Sequence, residues 1–276
     1  MKIAGARCLV AGGGRGLGAA LALDLAAHGA DVAITYYRSR AAALHTSSEI
    51  AALGRRSAAI RANLSRRESA AAAVDEAIRQ LGALDVLVFS ASGPFAPQRP
   101  ETITEREWSG SVDTIAKGFF FTAQALYRAL AASADGPTPP ASDSGTSTEP
   151  NSRLSAAAPS DASTSRAVIV AITDVGGIEA WAAFAAHGAA KAAQIYLVKT
   201  LAKAWGRDGV RVCGVAPGPL DTPDDRRPEA TRRAANRTLI GRLERFDEVC
   251  HAVRFCIEND YLTGANVVVD GGYLVR

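Results

Sequence analysis

The residues of this 276-residue chain best placed to do chemistry begin at Ala11–Gly18, which reads A-G-G-G-R-G-L-G. Gly12, Gly16 and Gly18 follow a G-x3-G-x-G spacing between the apolar run Ile3–Val10 and the helical pattern Ala19–Ala27. A strand, a glycine turn and a helix in that order bring unblocked backbone N–H groups and a helix N-terminus to one point. Such a point suits a pyrophosphate. The groups it would offer are those of Gly12, Gly14, Arg15, Gly16, Leu17 and Gly18. A glycine turn alone serves flexibility equally well, and the flanking strand and helix are what point to phosphate.

A second chemical signal ends the run Asp31–Tyr37, where folds of this kind distinguish NAD from NADP. An acidic side chain there would bond the ribose 2′-hydroxyl, but this chain continues from Tyr36 as Tyr37, Arg38, Ser39 and Arg40. With Arg15 on the same side, the set suits a 2′-phosphate, because guanidinium–phosphate contacts are strong and geometry-specific. The expected cofactor is therefore NADPH/NADP. Metal chemistry is not expected: His28, His45, His187, His251 and the four cysteines Cys8, Cys213, Cys250 and Cys256 form no ligand spacing.

The elements that must position these groups alternate along the chain. Helix Gly16–Ala27 stops at His28-Gly29, strand Asp31–Tyr37 follows, and helix Ala41–Leu53 closes at Gly54. Strand Ser57–Ala62 exits into Asn63-Leu64, where an adenine edge would be held, before helix Ser69–Leu81. Leu84–Phe89 is a continuous apolar run, as a central parallel strand requires, and opens into Ser90-Ala91-Ser92-Gly93. Thr104-Glu105-Arg106-Glu107 is a capping box, and Val112–Ala132 is a long helical pattern. Further strands at Ala167–Ile172, Val210–Val215 and Asn266–Val269 alternate with helices Ala182–Trp205 and Asp247–Ile257. Strands alternating with helices predict an α/β chain built on a doubly wound parallel sheet with helices on both faces. The length suits a single domain.

Between Ser133 and Arg166 lie Ser, Thr, Pro, Asp, Gly and Ala with almost no apolar residue, so a low-complexity surface loop is expected there. A net charge of +3 in a chain that is 48% hydrophobic and 21% charged is too balanced for a nucleic-acid footprint. Seven arginines between Arg226 and Arg245 read as a solvated helix face that attracts an acidic substrate, not as a nucleic-acid surface. No run approaches the roughly 18 apolar residues of a membrane span, so no membrane partner and a cytoplasmic location are expected.

The ordered motifs resemble the short-chain dehydrogenase/reductase family over nearly the whole chain. They are Ala11–Gly18, Asn63-Leu64, His187-Gly188-Ala189-Ala190-Lys191, Val215–Thr222, Leu262-Thr263-Gly264 and Val269–Gly272. The resemblance implies a Rossmann-type fold. It implies that Lys191 holds the nicotinamide ribose, that Ser90, Ala91 and Ser92 line the cofactor, and that Pro217, Gly218, Leu220 and Thr222 face the nicotinamide. The segment Pro219–Arg245, with Pro223–Arg245 as its body, would be a substrate lid.

The same comparison marks departures. Where the family carries its catalytic tyrosine, four residues before the lysine, this chain has His187. The family serine falls at Asp174, with Thr173 beside it as a further catalytic candidate, and the helix asparagine at Ile115. His187 is then either a general acid, since imidazole titrates near neutrality, or a histidine of the pocket wall. Asp174 either orients His187 or a substrate hydroxyl, or serves as a turn residue. The proton can also come from the substrate, if a hydroxyl lies beside the carbonyl that is reduced. Aromatic polyketides carry such pairs, and Phe95, Trp181, Phe184 and Leu220 fall where the family lines its cleft, which suits a flat apolar ligand.

The expected activity is NADPH-dependent reduction of a ring carbonyl on an aromatic polyketide of the angucyclinone kind. The alternative is a silent NADP-binding regulator. Family analogy adds a homo-oligomer, a dimer or tetramer, through Val112–Ala132 and Ala182–Trp205. Arg38→Asp is expected to weaken NADPH far more than NADH in a fluorescence titration, and equal losses would overturn the 2′-phosphate assignment.

Overall fold

The computed structural model describes residues 1–93, 96–133, 165–222 and 228–275. Seven parallel strands form one sheet in the order β3-β2-β1-β4-β5-β6-β7. They are β1 (Arg7–Ala11), β2 (Asp31–Tyr36), β3 (Ser57–Arg61), β4 (Val86–Phe89), β5 (Ala167–Ile172), β6 (Val210–Pro217) and β7 (Asn266–Val269). The order runs outward from β1 to β3 and then restarts at β4 on the other side of β1. That reversal leaves a crevice beyond the C-terminal ends of β1 and β4, where open sheets of this kind bind ligands.

The strands alternate by residue between two apolar layers. Leu9 and Ala11 of β1, with Leu87 and Phe89 of β4, face α3 (Arg67–Leu81), α5 (Gly118–Ser133) and α6 (Ala185–Trp205). Cys8, Val10, Val86 and Val88 face α1 (Gly16–Ala27), α2 (Arg40–Ala52) and α8 (Phe246–Glu258). The four cysteines are buried free thiols. Burying both faces explains why β4 and β5 read as unbroken apolar runs.

Most expected elements form within a residue or two of their expected ends, and two helices differ in kind. The pattern Val112–Ala132 is resolved into α4 (Glu105–Val112), a π turn at Asp113–Lys117, and α5. The capping box does start α4, with Thr104 accepting from the Glu107 N–H. Glycine is required just after the π turn, since a Cβ at Gly118 would lie 2.8 Å from the Leu64 carbonyl oxygen. Here the helix lies directly against the exit of β3. At the second helix, Ala182–Phe184 forms a 3-10 turn and α6 begins at Ala185.

Of the expected loop Ser133–Arg166, only the ends fall among the described residues. Ser133 completes α5, while the Arg166 backbone N–H donates to Gly209 and its guanidinium to the Leu130 carbonyl. The lid segment contains α7 (Pro228–Asn236), and residues 223–227 lie outside the described set, as does Phe95.

The glycine turn is fixed by contact. A Cβ on Gly18 would stand 2.1 Å from the Gly12 carbonyl oxygen, whereas one on Gly110 in α4 would meet nothing within 4 Å. Gly18→Ala is expected to destabilise by about 2 kcal/mol or more, and Gly110→Ala to stabilise by about 0.5–1 kcal/mol. Urea denaturation of both variants measures this.

Candidate active site

Two backbones meet at the sheet's reversal. Gly12 has φ +85 and a Cβ there would lie 2.8 Å from the Ala91 Cα, so only glycine lets the turn after β1 touch the exit of β4. Ser90 joins the two by donating its N–H to the Ala11 carbonyl at 2.9 Å. Ser90, Ala91 and Ser92 therefore stand beside the glycine turn, as the sequence implied. The Gly12 N–H donates to Thr35 Oγ1 at 3.0 Å, which ties the turn to β2.

Helix α1 opens toward this crevice with no acidic residue in its first turn and no side-chain cap from Arg15. Its first N–H groups lack intrahelical partners, so an anion meets an uncompensated positive end. Gly14 packs against Ser39, whose Oγ lies 3.2 Å from where a Gly14 Cβ would be. Arg15, Tyr37 and Arg38 are exposed around that contact, and the Arg38 guanidinium lies 5.4 Å from the Tyr37 ring centroid. Leu17 is half-buried and packs on the α1 side of the core. The residues assigned to pyrophosphate and 2′-phosphate are thus gathered at one edge of the crevice.

Asn63 and Leu64 serve the fold as placed. Asn63 Oδ1 accepts from the Ser65 N–H and hydroxyl at 3.2 and 2.7 Å, forming an Asx turn before α3, and the Leu64 side chain is buried. On the other side of the crevice, Pro217 ends β6 and Gly218 donates its N–H to Val269. Leu220 and Thr222 follow in the same turn, with Leu220 partly buried against the core.

The chemistry collects where β5 meets α6. Lys191 is 5% exposed and its ammonium donates to the Ile172 carbonyl at 2.6 Å and to Gln194 Oε1 at 3.4 Å. Burial pulls this ammonium down to about 8, and the negative charge of Asp174 offsets part of the shift. Asp174 caps the turn after β5, with Oδ1 accepting from the Gly176 N–H at 2.6 Å and Oδ2 lying 3.3 Å from His187 Nε2. The turn lies flat on α6 because a Cβ on Gly188 would stand 2.8 Å from the Gly176 carbonyl. Asp174 and His187 are thus brought together, and the histidine has an orienting partner. The carboxylate side chain is 23% exposed and the imidazole 4%. Asp174 is the member of the pair that solvent reaches.

Thr173 is a correction. Its hydroxyl lies 2.9 Å from the Val215 carbonyl and 2.7 Å from Asn266 Oδ1, tying β5 to β6 and β7, and its side chain is buried. Strand alternation turns it away from Asp174. The expected aromatic lining is partly a small core: Trp181 packs edge-on to Phe184 and Tyr273, each at 5.9 Å. Beside it opens a cleft of about 570 Å³ lined by Ile178, Glu179, Arg237, Tyr273 and Leu274.

Gln194 was not singled out from the sequence, although it falls on the buried stripe His187, Lys191, Gln194 and Val198 of α6. A polar residue at an apolar position of that stripe was the available signal. Among the described residues no cluster of potential metal ligands occurs, and no helix is long and apolar enough to cross a membrane.

Comparison with known proteins places this geometry. Residues 6–137 match the short chain dehydrogenase model and residues 148–274 the enoyl-(acyl carrier protein) reductase model. The chain is 29% identical to 3beta-hydroxysteroid dehydrogenase 1 of Eggerthella lenta, covering 97% of this chain and 93% of that protein. It is 28% identical to a 3-oxoacyl-[acyl-carrier-protein] reductase of Staphylococcus aureus over 96% of both. A short chain dehydrogenase from Burkholderia cenocepacia, solved in complex with NADP, superposes with a TM-score of 0.80 at 28% identity, covering 99% of this chain and 100% of that one.

The depressed ammonium has a thermodynamic sign. Between about 8 and the ordinary lysine value of 10.5, the unfolded chain binds a proton the folded chain lacks, so stability from this group rises with pH across that window. Lys191→Met is expected to raise Tm at pH 7 by about 1–3 °C, with the gain shrinking at pH 10 in scanning calorimetry.

Proposed function

The chain belongs to the short-chain dehydrogenase/reductase family of oxidoreductases, and from that premise we propose that it is an NADPH-dependent ketoreductase acting on a ring carbonyl of an aromatic polyketide of the angucyclinone kind. Arg15, Tyr37, Arg38 and Ser39 would hold the 2′-phosphate and α1 the pyrophosphate. Ser90, Ala91, Ser92, Pro217, Gly218, Leu220, Thr222 and Lys191 would hold the nicotinamide half. NADPH supplies the hydride when bound. The relatives that act on steroid and 3-oxoacyl substrates support a carbonyl–alcohol interconversion here.

One observation carries the mechanism: the imidazole of His187 lies behind the carboxylate of Asp174, with Nε2 turned onto that carboxylate. With Nε2 engaged by Asp174 and the ring 4% exposed, His187 does not serve as the acid in this reading, and Asp174, 23% exposed, is the acceptor that solvent reaches. An acceptor in that place holds a substrate hydroxyl, not the carbonyl oxygen being reduced. The proton for the alkoxide then comes from the substrate's own neighbouring hydroxyl or from water, and Asp174 accepts from a different hydroxyl of the same ring system to hold it in place. The nearby cleft, with Tyr273 and Ile178 in its wall, suits a flat ring system.

Self-association is part of the same reading. Tyr196 on α6 is 70% exposed and Trp108, on the short α4 ahead of the Val112–Ala132 helix, is 45% exposed, which supports a second copy docking along the two long helices, in a dimer or tetramer.

Turnover of NADPH with an angucyclinone ketone and with the same ketone lacking its neighbouring hydroxyl tests the proposal. The hydroxylated ketone is expected to be reduced and the other to be slower by about 100-fold or more. His187→Phe is expected to keep kcat within about tenfold, since a loss of 100-fold or more is what removal of a general acid produces. Tight NADPH binding without oxidation against any such ketone would instead identify a silent cofactor-binding protein.

A further inference from the structure

Glu244 is a buried carboxyl that the reading above leaves unused. It is 7% exposed, and it stands where the 219–245 segment returns to the sheet. Three bonds join it to the turn after β6. Its Oε2 accepts from the Gly218 N–H at 2.8 Å, its backbone N–H donates to Pro219 at 2.9 Å, and its carbonyl accepts from Asp221 at 2.8 Å. Leu220 and Glu244 thereby pair as a parallel bridge. Among the described residues the second carboxyl oxygen, Oε1, has no hydrogen-bond partner. A small cavity of about 90 Å³ lies alongside, walled by Pro219, Thr238, Arg242, Asp270 and Gly271 among others.

The backbone bonds alone would join the two segments with any residue at this position. The side chain adds something they do not: it holds the N–H of the first residue after Pro217, which already donates to Val269 at 2.8 Å. Gly218 is then fixed from both sides, by β7 and by Glu244. A Cβ on Gly218 would lie 2.8 Å from the Asp270 Cα, so the turn has no slack on its third side.

We propose that Glu244 is a positioning residue for the Pro217–Thr222 turn, and that it sets the affinity of the crevice for the nicotinamide half of the dinucleotide. The inference rests on the cofactor reading above. The charged groups that face the carboxyl are Glu248 at the start of α8, Asp270 after β7 and Arg242 on its own segment. Arg242 is already engaged, donating to Glu248 at 2.9 Å. Burial and the two neighbouring carboxylates hold the Glu244 proton on up to about 8. The neutral carboxyl accepts from Gly218 without setting a third negative charge beside Glu248 and Asp270. Ionisation adds that charge beside Glu248 and Asp270, a repulsion that the Gly218 N–H and Arg242 offset in part.

The test is NADPH titration by fluorescence on the full chain from pH 6.5 to 9.5, together with hydrogen exchange of the Gly218 and Asp221 amides in the cofactor-free protein. Glu244→Ala is expected to weaken NADPH about tenfold at pH 7, and Glu244→Gln, which keeps the neutral acceptor, to recover affinity to within about threefold. Because Lys191 titrates in the same interval, the informative quantity is the affinity ratio of Glu244→Gln to the unsubstituted protein. That ratio is expected to rise about tenfold between pH 7 and 9.5. Equal pH profiles, or a Glu244→Ala protein that loses Tm while keeping its NADPH affinity, would overturn the proposal. If the unsubstituted protein bound no NADPH, the cofactor reading would fall. Amide exchange would still decide the positioning role: it is expected to be about tenfold faster in Glu244→Ala and restored in Glu244→Gln, and unchanged exchange would overturn it.

Discussion

The site depends on a buried ammonium. Lys191 has almost no access to water, so its charge is held only by the Ile172 carbonyl, the Gln194 amide oxygen and the field of Asp174. A charge taken out of water is unfavourable unless such partners are fixed in advance. Every one of them is fixed by the fold. Ile172 is the last residue of a strand paired on both sides, Gln194 is one turn further along the same helix, and Asp174 is locked by the Gly176 N–H. The depressed affinity for its proton measures how incomplete the compensation is. A ligand that offered hydroxyl oxygens to this ammonium would complete it, which is the part proposed above for the nicotinamide ribose.

The same economy shapes the opposite side of the crevice. The glycine turn after β1 is held by contact with Ala91 and by the Thr35 hydroxyl, and the turn after β6 is held by Val269 and Glu244. Both turns are pinned to neighbouring strands, so the edges proposed for the dinucleotide are supported by the sheet itself. Effective hydride transfer needs its two carbons near contact distance, and rigidity of the supports is what supplies that.

Much of this was legible in the sequence, for identifiable reasons. Ala167–Ile172 was placed to the residue because a parallel strand buried on both faces leaves an unbroken apolar run, and the partly exposed edge strand Asn266–Val269 because its run of valines is bounded by polar and glycine residues. The glycine turn was legible because only glycine tolerates its backbone contacts. The π turn at Asp113–Lys117 was not, since it interrupts a run whose apolar spacing reads as one continuous helix. Thr173 was misassigned for a similar reason: proximity in sequence to Asp174 says nothing of which face of β5 a side chain takes until the strand's end is known. Glu244 and Gln194 carry no motif, and their meaning comes from what long-range folding sets beside them.

The arrangement of Asp174 before His187 turns a question of catalysis into one of substrate choice. A cleft that presents a hydrogen-bond donor serves any ketone, because the donor reaches the oxygen on which charge develops. A cleft that presents a carboxylate opposes that charge at close range and serves only a ketone that brings a donor of its own. The peri hydroxyl of an aromatic ketone is such a donor. It is already hydrogen-bonded to the carbonyl before hydride arrives, and so is placed to give its proton to that oxygen as negative charge develops there. Asp174 can accept from a different hydroxyl of the ring system and so fix the ring in the cleft. In this reading the loss of an enzymic acid is not a defect repaired by the substrate. It is the term that rejects ketones without the hydroxyl, since for them both the missing donor and the facing carboxylate act against the transition state.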